Sequence, residues 1–201
     1  MKVLRQADYA SQAWKNGSGV SRRIASFPEN ASFDEGMLWQ LSLPVIAADS
    51  PFSPFPGFDR QFMVLSGKGV SLSFRHAAGD VAFSRKIDAP LQPFAFRGDW
   101  EADCKLLAGP VEDFSLLSRR GKIAAKLELR ALHAMSFVEK AAADTLLLYA
   151  ARGSLRVFGR GGAAVLAEQD TLLEPPGNDA SFALSGASGG AVVAILTLSE
   201  I

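Results

Sequence analysis

The sequence predicts an all-β protein made of two jelly-roll barrels in one chain. Many short segments alternate between apolar and polar residues and are separated by Gly and Pro turns, which is typical of sandwiches and barrels. A weak internal repeat supports a duplication, because residues 61–74 and 146–158 both have a strand, a glycine turn and a second strand. The predicted domains are an N-terminal barrel over residues 1–122 and a C-terminal barrel over residues 123–201.

Composition limits the classes of partner. The 201 residues are 48% hydrophobic and 21% charged, enough apolar material for a sizeable core. Lys plus Arg and Asp plus Glu both number 21, so the chain lacks the basic surplus typical of proteins that bind nucleic acid or membrane surfaces. Cys104 is the only cysteine, which excludes an intrachain disulfide. With no secretory signal and no apolar run of membrane-spanning length, the sequence predicts a cytoplasmic protein.

The first half contains seven predicted strands and a strong turn. Asn16-Gly17 is the turn signal. Adjacent side chains on a strand point to opposite faces, so only one of Arg22 and Arg23 can face a given pocket. The predicted strands cover residues 2–9, 20–24, 37–43, 61–65, 70–74, 91–96 and 104–107. The third of them has Trp39, Leu41 and Leu43 on its core face.

A proline-rich loop separates the third and fourth strands. Its prolines, Pro51, Pro54 and Pro56, exclude a helix. The interleaved phenylalanines predict that the loop packs against the domain. Asp59 and Arg60 follow where this stiff loop enters a strand. They are either a positioned binding group or an ordinary surface ion pair.

The second half repeats the same rhythm of short strands. Residues 126–132 have alanine-rich surroundings that would tolerate a helix, but their period of two predicts a strand. Residues 113–121 show no apolar periodicity that assigns them to a strand or to a helix. Further strands are predicted at 146–151, 154–158, 170–173, 181–184 and 191–198.

Jelly-roll barrels include the cupins, many of which hold a metal with two or three histidines and a glutamate. This chain has only His76 and His133, and neither belongs to a His-x-His pair. Metal sites need clustered ligands, so the sequence predicts neither a metal nor another cofactor. Residues 67–69 lack the spacing of a phosphate-binding loop, and no nucleophile elbow is present.

Two segments, Trp14-Lys-Asn-Gly-Ser-Gly-Val-Ser-Arg22 and Phe52-Ser-Pro-Phe-Pro-Gly-Phe-Asp-Arg60, resemble the HutD/Ves family. Asp113-Phe followed by Arg119-Arg-Gly121 resembles its third motif. The resemblance implies a bicupin fold, usually without metal, and a link to histidine catabolism. It also implies binding of a small carboxylate such as formylglutamate or urocanate, without established catalysis. Three positions depart from the usual pattern: Ser18 replaces a glycine, Arg23 an acid and Ser115 an asparagine.

The same residues suit an anion pocket. Arg60 offers a planar fork for a carboxylate, Lys15 a point charge and Asn16 an amide donor. The apolar wall that a small-molecule site needs would come from Trp14, Phe52 and Phe55. Each residue also has a structural explanation: Trp14 in the core, Asn16 in the turn, and Arg60 paired with Asp59 or Asp113. The predicted ligand-binding residues are Trp14, Lys15, Asn16, Arg22, Phe52, Phe55, Asp59 and Arg60.

Three classes of function remain open on the sequence. The first is a non-catalytic bicupin that binds a small carboxylate and regulates histidine or urocanate catabolism. The second is a metal-independent isomerase or hydrolase with Asp59 or Asp113 as its base. The third is an interaction protein, as in the stress-induced branch of the family. A homodimer is kept as an expectation without a sequence signal of its own.

Overall fold

A computed structural model describes residues 1–14, 19–75, 81–187 and 190–201. The described residues form nineteen β-strands and two 3-10 turns (Gln6–Asp8 and Phe33–Glu35), and no α-helix occurs among them. No helix in these ranges is long and apolar enough to cross a membrane. The strands are β1 (Lys2–Leu4), β2 (Ala10–Ala13), β3 (Gly19–Phe27), β4 (Trp39–Ile46), β5 (Ser50–Phe52), β6 (Phe58–Ser66), β7 (Val70–Arg75), β8 (Val81–Ile87), β9 (Phe94–Arg97), β10 (Ala102–Leu106), β11 (Val111–Arg119), β12 (Ile123–Ala131), β13 (Ser136–Lys140), β14 (Thr145–Arg152), β15 (Leu155–Gly159), β16 (Gly162–Leu166), β17 (Thr171–Glu174), β18 (Ala180–Gly186) and β19 (Val192–Glu200).

The chain forms two compact units. The N-terminal unit comprises Ala10–Lys122, and the C-terminal unit comprises Met1–Tyr9 with Ile123–Ile201. The N-terminal unit has a six-stranded sheet, β2-β3-β4-β11-β6-β9, and a four-stranded sheet, β5-β10-β7-β8. The C-terminal unit has a five-stranded sheet, β1-β17-β14-β19-β12, and a four-stranded sheet, β13-β18-β15-β16. The predicted all-β class is confirmed, and within each unit the two sheets remain separate in their hydrogen bonding.

The strand order repeats between the two units. The order β9-β6-β11-β4 in the first corresponds to β17-β14-β19-β12 in the second, and β5-β10-β7-β8 corresponds to β13-β18-β15-β16. A β-bulge at the same place in both units shows which residues of β11 and β19 correspond. In β11 it separates Asp113, opposite Val64, from the preceding residue. In β19 the register shifts at the same place, beside Val193 opposite Ala150. This topology provides the physical basis of the internal repeat seen in the sequence.

The first nine residues differ from the prediction, which placed them in the N-terminal barrel. Strand β1 pairs with β17 of the C-terminal unit, with Val3 opposite Leu172. Asp170 also binds this segment, because its carboxylate accepts hydrogen bonds from the backbone N–H of Gln6 at 2.9 Å and from Arg5 at 2.7 Å. These long-range contacts have no local sequence signature.

Each unit has an apolar core. Several strand residues predicted to be buried are buried, including Leu41 and Leu43 of β4, which have no exposed surface. The unassigned stretch 113–121 lies mostly in β11, and the predicted strand 126–132 is confirmed by β12. The C-terminal unit has its own cluster of buried apolar side chains, among them Leu146, Leu148, Val193 and Ile195.

The hairpin between β6 and β7 depends on glycine. Gly69 has a φ of +96°, and a Cβ there would lie 2.1 Å from the carbonyl oxygen of Ile87. A side chain could not be accommodated without moving the backbone. The hairpin therefore sets where β6 ends and which of its residues face the interior.

Candidate functional site

Arg60 lies on the interior face of β6, together with Phe62 and Val64. Its side chain is only 8% exposed. The guanidinium carbon lies 4.3 Å from the centre of the Phe52 ring and 5.7 Å from that of Phe96. Its Nε donates a hydrogen bond to Ser115 Oγ at 3.2 Å. Burial lowers the pKa of Arg60, although an arginine retains its proton at neutral pH. The result is a buried, oriented cation.

Strand β11 supplies the polar groups beside it. Ser115 lies opposite Phe62 of β6 and opposite Ser42 of β4. Directly opposed residues of an antiparallel ladder share a face. Asp113 lies two positions before Ser115 and therefore also faces the interior. The centre of this sheet is consequently polar on its inner face, whereas the facing sheet contributes apolar side chains such as Phe52 and Phe74.

Asp113 is the least satisfied polar group of this site. It has no exposed surface, and neither carboxylate oxygen has a hydrogen-bond partner among the described residues. Burial raises the pKa of Asp113 to about 8, against the opposing charge of Arg60 and with a smaller contribution from Glu112. At neutral pH the carboxyl group is therefore mostly protonated.

The prediction that Arg22 faces the pocket is wrong. Arg22 forms an ion pair with Glu112. That contact lies on the opposite face of the sheet, because Arg22 is opposite Leu43. Arg23 is opposite Ser42 and therefore shares the face of Arg60 and Ser115. Arg23, which stands where the family usually has an acidic residue, is therefore the arginine on the same face as the site.

Two further predicted site residues lie elsewhere. Asp59 is adjacent to Arg60 on β6 and points to the other face, where Arg120 Nε donates a hydrogen bond to it at 2.9 Å. The prediction of a joint Asp59–Arg60 site is therefore wrong. Phe55 is also misplaced in the predicted wall, because it packs in a separate cluster, with its ring centre 5.6 Å from that of Phe33. The proline-rich loop divides its aromatic residues between two cores.

Trp14 packs against the core that contains Phe52, which fits both the predicted apolar wall and an ordinary place in the core. Its backbone N–H donates a hydrogen bond to the carbonyl of Gly19 at 2.9 Å. Lys15 and Asn16 lie outside the described residues, so their convergence with Arg60 stays a prediction.

Sequence reasoning missed several residues of the site. Phe96, Ser42 and Arg23 share its face only through cross-strand pairing. Ser115 was noticed only as a departure from a motif, although polar residues at 113 and 115 within an apolar run were a signal. Cys104 of β10 faces the same core, and burial raises the pKa of its thiol to about 12. That thiol is therefore protonated and unsuited to act as a nucleophile.

A cleft of about 380 Å³ opens beside the proline-rich loop. Phe52, which also stacks on the guanidinium of Arg60, lines it, together with Pro51, Ser53, Pro54, Arg75, Glu101, Ala102 and Asp103. Within the described ranges, no group of three or more His, Cys, Asp or Glu side chains is arranged to hold a metal. His133 is exposed, and His76 lies outside those ranges.

The fold and the site define a class of protein. Two units with the same jelly-roll strand order make the chain a cupin-like protein with two domains, or bicupin. An oxalate decarboxylase from Lactobacillus farciminis, solved as a formate complex, has the same fold with a TM-score of 0.70 at 9% identity, over 100% of this chain and 88% of that one.

Closer relatives identify the family. The HutD family model matches residues 6–192, so the chain belongs to the HutD family. An uncharacterised 21.2 kDa protein from the hutC 3′ region of Pseudomonas putida is 32% identical over 78% of this chain and 77% of its own length. A conserved protein of unknown function from Pseudomonas aeruginosa PAO1 has a TM-score of 0.87, 30% identity and 98% coverage of both chains. HutD from Pseudomonas fluorescens SBW25, solved in a formate condition, has a TM-score of 0.83 and 28% identity, over 100% of this chain and 98% of that one. These relatives support the link to histidine utilisation.

Proposed function

We propose that the N-terminal unit binds a small carboxylate through Arg60 and that the protein acts as a non-catalytic regulator in histidine utilisation. The observation that carries this proposal is the state of Arg60. Among the described residues its guanidinium has a hydrogen bond to Ser115 and no ion pair. A buried cation without a counterion is costly unless a ligand supplies the negative charge.

The surroundings of Arg60 favour a carboxylate. Stacking on Phe52 and the bond from Nε to Ser115 hold the guanidinium plane in one orientation. A planar carboxylate can then accept two parallel hydrogen bonds from the remaining N–H groups. Because the guanidinium is already ordered, binding costs less conformational entropy than it would for a free arginine.

Family membership suggests the ligand. Formylglutamate and urocanate both carry carboxylates, and the resemblance to HutD proteins makes them the first candidates. A protein that binds such a metabolite without converting it would report its concentration. Binding would stabilise the ligand-bound form by mass action, and this form would carry the regulatory signal.

Calorimetry with formylglutamate and with urocanate tests the proposal. Arg60→Lys keeps the charge but removes the fork, so binding should weaken by about 1–3 kcal/mol. Arg60→Ala should lose at least as much. Arg156→Ala, at an exposed position of the C-terminal unit, is the matched control and should bind as the unmodified protein does. Unchanged affinity in Arg60→Ala would place the site elsewhere.

A second function is favoured by Asp113. A carboxyl group whose pKa lies near neutrality can act as a general acid or base, so we keep a metal-independent isomerase or hydrolase as the alternative. Asp59 is a poor candidate for the base because Arg120 binds it on the other face. Incubating the protein with each bound carboxylate and following the solution by NMR would detect conversion. Catalysis by Asp113 requires that Asp113→Asn abolish any turnover seen.

A further inference from the structure

The buried carboxyl group of Asp113 lowers the stability of the folded protein. Its carboxyl group is fully buried on β11, and neither oxygen accepts a hydrogen bond from a described residue. Leaving a buried polar group unpaired costs about 1–3 kcal/mol. The C-terminal unit has Val193 at the matching position of the matching strand. The fold therefore does not need a carboxyl group there.

Asp113 and Arg60 face the same interior but do not bind each other. Arg60 makes its hydrogen bond to Ser115, which lies between them along β11, rather than to Asp113. Each of the two groups nevertheless acts electrostatically on the pKa of the other. The site thus has unfilled donors at the guanidinium and unfilled acceptors at Asp113.

The other charged or titratable groups near Asp113 do not fill these acceptors. Glu112 adjoins it on the same strand but pairs with Arg22 on the opposite face. Cys104 faces it from β10 as a protonated thiol. Arg23 lies on the same face across β4 and is half-buried. None of these groups donates a hydrogen bond to Asp113, so its acceptors are available to a group from a ligand.

We propose that Asp113 is a specificity-determining residue, which accepts a hydrogen bond from an N–H group of the carboxylate held by Arg60. The ligand class is therefore a small acid that carries an N–H donor as well as its carboxylate, such as an acylated amino acid or an acid with an imidazole ring. This inference rests on the proposed carboxylate binding. Asp113 retains an acceptor oxygen whether or not it is protonated, so the assignment holds in both states.

Matched pairs of probes test this role by calorimetry. The first pair is N-formyl-L-glutamate and glutarate, which lacks the amide. The second is urocanate and 3-(3-thienyl)acrylate, a planar acid of similar shape without a ring N–H. In the unmodified protein we expect at least one N–H probe to bind about tenfold more tightly than its partner, the scale of one hydrogen bond to a buried acceptor.

Asp113→Val, which copies the residue of the C-terminal unit, should bring the two members of that pair to within about twofold. Asp113→Asn keeps a carbonyl acceptor and should retain part of the preference. Thermal melts of both variants check that they fold. Equal binding of both members of each pair to the unmodified protein, or a preference that survives in Asp113→Val, would overturn the role of Asp113 and leave Arg60 as the anchor. If no probe binds the unmodified protein, the carboxylate proposal fails and this inference fails with it.

Discussion

The two units share a strand order but differ in what fills the space between their sheets. At three matching positions on the central strands, the N-terminal unit has polar side chains where the C-terminal unit has aliphatic ones. The pairs are Arg60 with Leu146, Asp113 with Val193, and Ser115 with Ile195. The comparison teaches that this strand arrangement folds with aliphatic side chains at these three positions, so the fold itself does not require the polar side chains that the N-terminal unit has there.

Two buried aspartates sharpen the contrast. Asp170 of the C-terminal unit is 4% exposed, yet its carboxylate accepts hydrogen bonds from Arg5 and from the backbone N–H groups of Gln6 and Ala167. Burial acts to raise its pKa, but these donors outweigh burial and lower it. Asp113 has burial without donors, and its pKa is raised. Asp170 is satisfied by hydrogen bonds within the fold, whereas Asp113 has no hydrogen-bond partner among the described residues.

The largest expected loss of stability comes from a substitution in the apolar cluster of the C-terminal unit. Leu148→Ala removes a fully buried side chain from the apolar core and should lower the free energy of unfolding by about 2–5 kcal/mol. The measurement is urea denaturation. Phe62→Leu, which installs the C-terminal residue at the matching position of the N-terminal unit, is the comparison and should cost less. If Leu148→Ala has no measurable cost, the view that Leu148 is packed in a stabilising apolar cluster is wrong.

Asp170→Asn should be the next most damaging change. It removes the charge that binds Arg5 and the two backbone donors, and we expect a loss of about 1.5–3 kcal/mol at neutral pH. Because the folded pKa of Asp170 is lowered, its contribution is present above the unfolded pKa of 3.8 and is lost as the pH falls through the folded value. Denaturation of both proteins over an acidic pH series checks this. A constant difference across that series would contradict it.

Asp113→Asn should change the free energy of unfolding with a pH dependence opposite to that of Asp170→Asn. The folded pKa of about 8 exceeds the unfolded value of 3.8, so the folded state holds its proton more tightly. Stability from this group is therefore full below about pH 4 and is lost as the pH rises towards 8. An asparagine does not titrate, and by proton linkage the variant should gain on the order of a few kcal/mol over the unmodified protein at pH 8 relative to pH 4. Denaturation curves of both proteins, measured at pH 4 and at pH 8, test this expectation. If the variant shows no relative gain, the carboxyl group of Asp113 has a hydrogen-bond or ionic partner in the folded protein.

The smallest expected effect concerns the loop beside the cleft. Asp99 accepts hydrogen bonds from the backbone N–H of Gly57 at 2.8 Å and from Arg120 at 2.6 Å. These bonds lower the pKa of Asp99 to about 2, so its contribution should be lost only below pH 4. Asp99→Ala should cost at most about 1 kcal/mol, because the group is partly exposed to solvent. A larger loss in thermal melts would indicate that this loop is more strongly tied to the core than the hydrogen bonds suggest.

The sequence alone determined the class of fold, the duplication and the residue at the centre of the site. Alternating apolar residues report which strand positions are buried, and this local signal predicted β4, β12 and β14. The fork of Arg60 and its place after a stiff loop marked it before the structure did. The motifs at 14–22 and 52–60 also pointed to the HutD family, which the comparisons confirm.

Only the tertiary structure decided which neighbours share a face with Arg60. Period two shows that Arg22 and Arg23 point opposite ways, but pairing with β4 selects Arg23 for the interior. Phe55 and Phe52 look alike in the loop, yet they pack in different clusters. The burial of Asp113 likewise comes from strands far away in sequence. Alternation is a local property of the backbone, whereas the face that becomes interior is set by long-range strand pairing and by bulges that shift it.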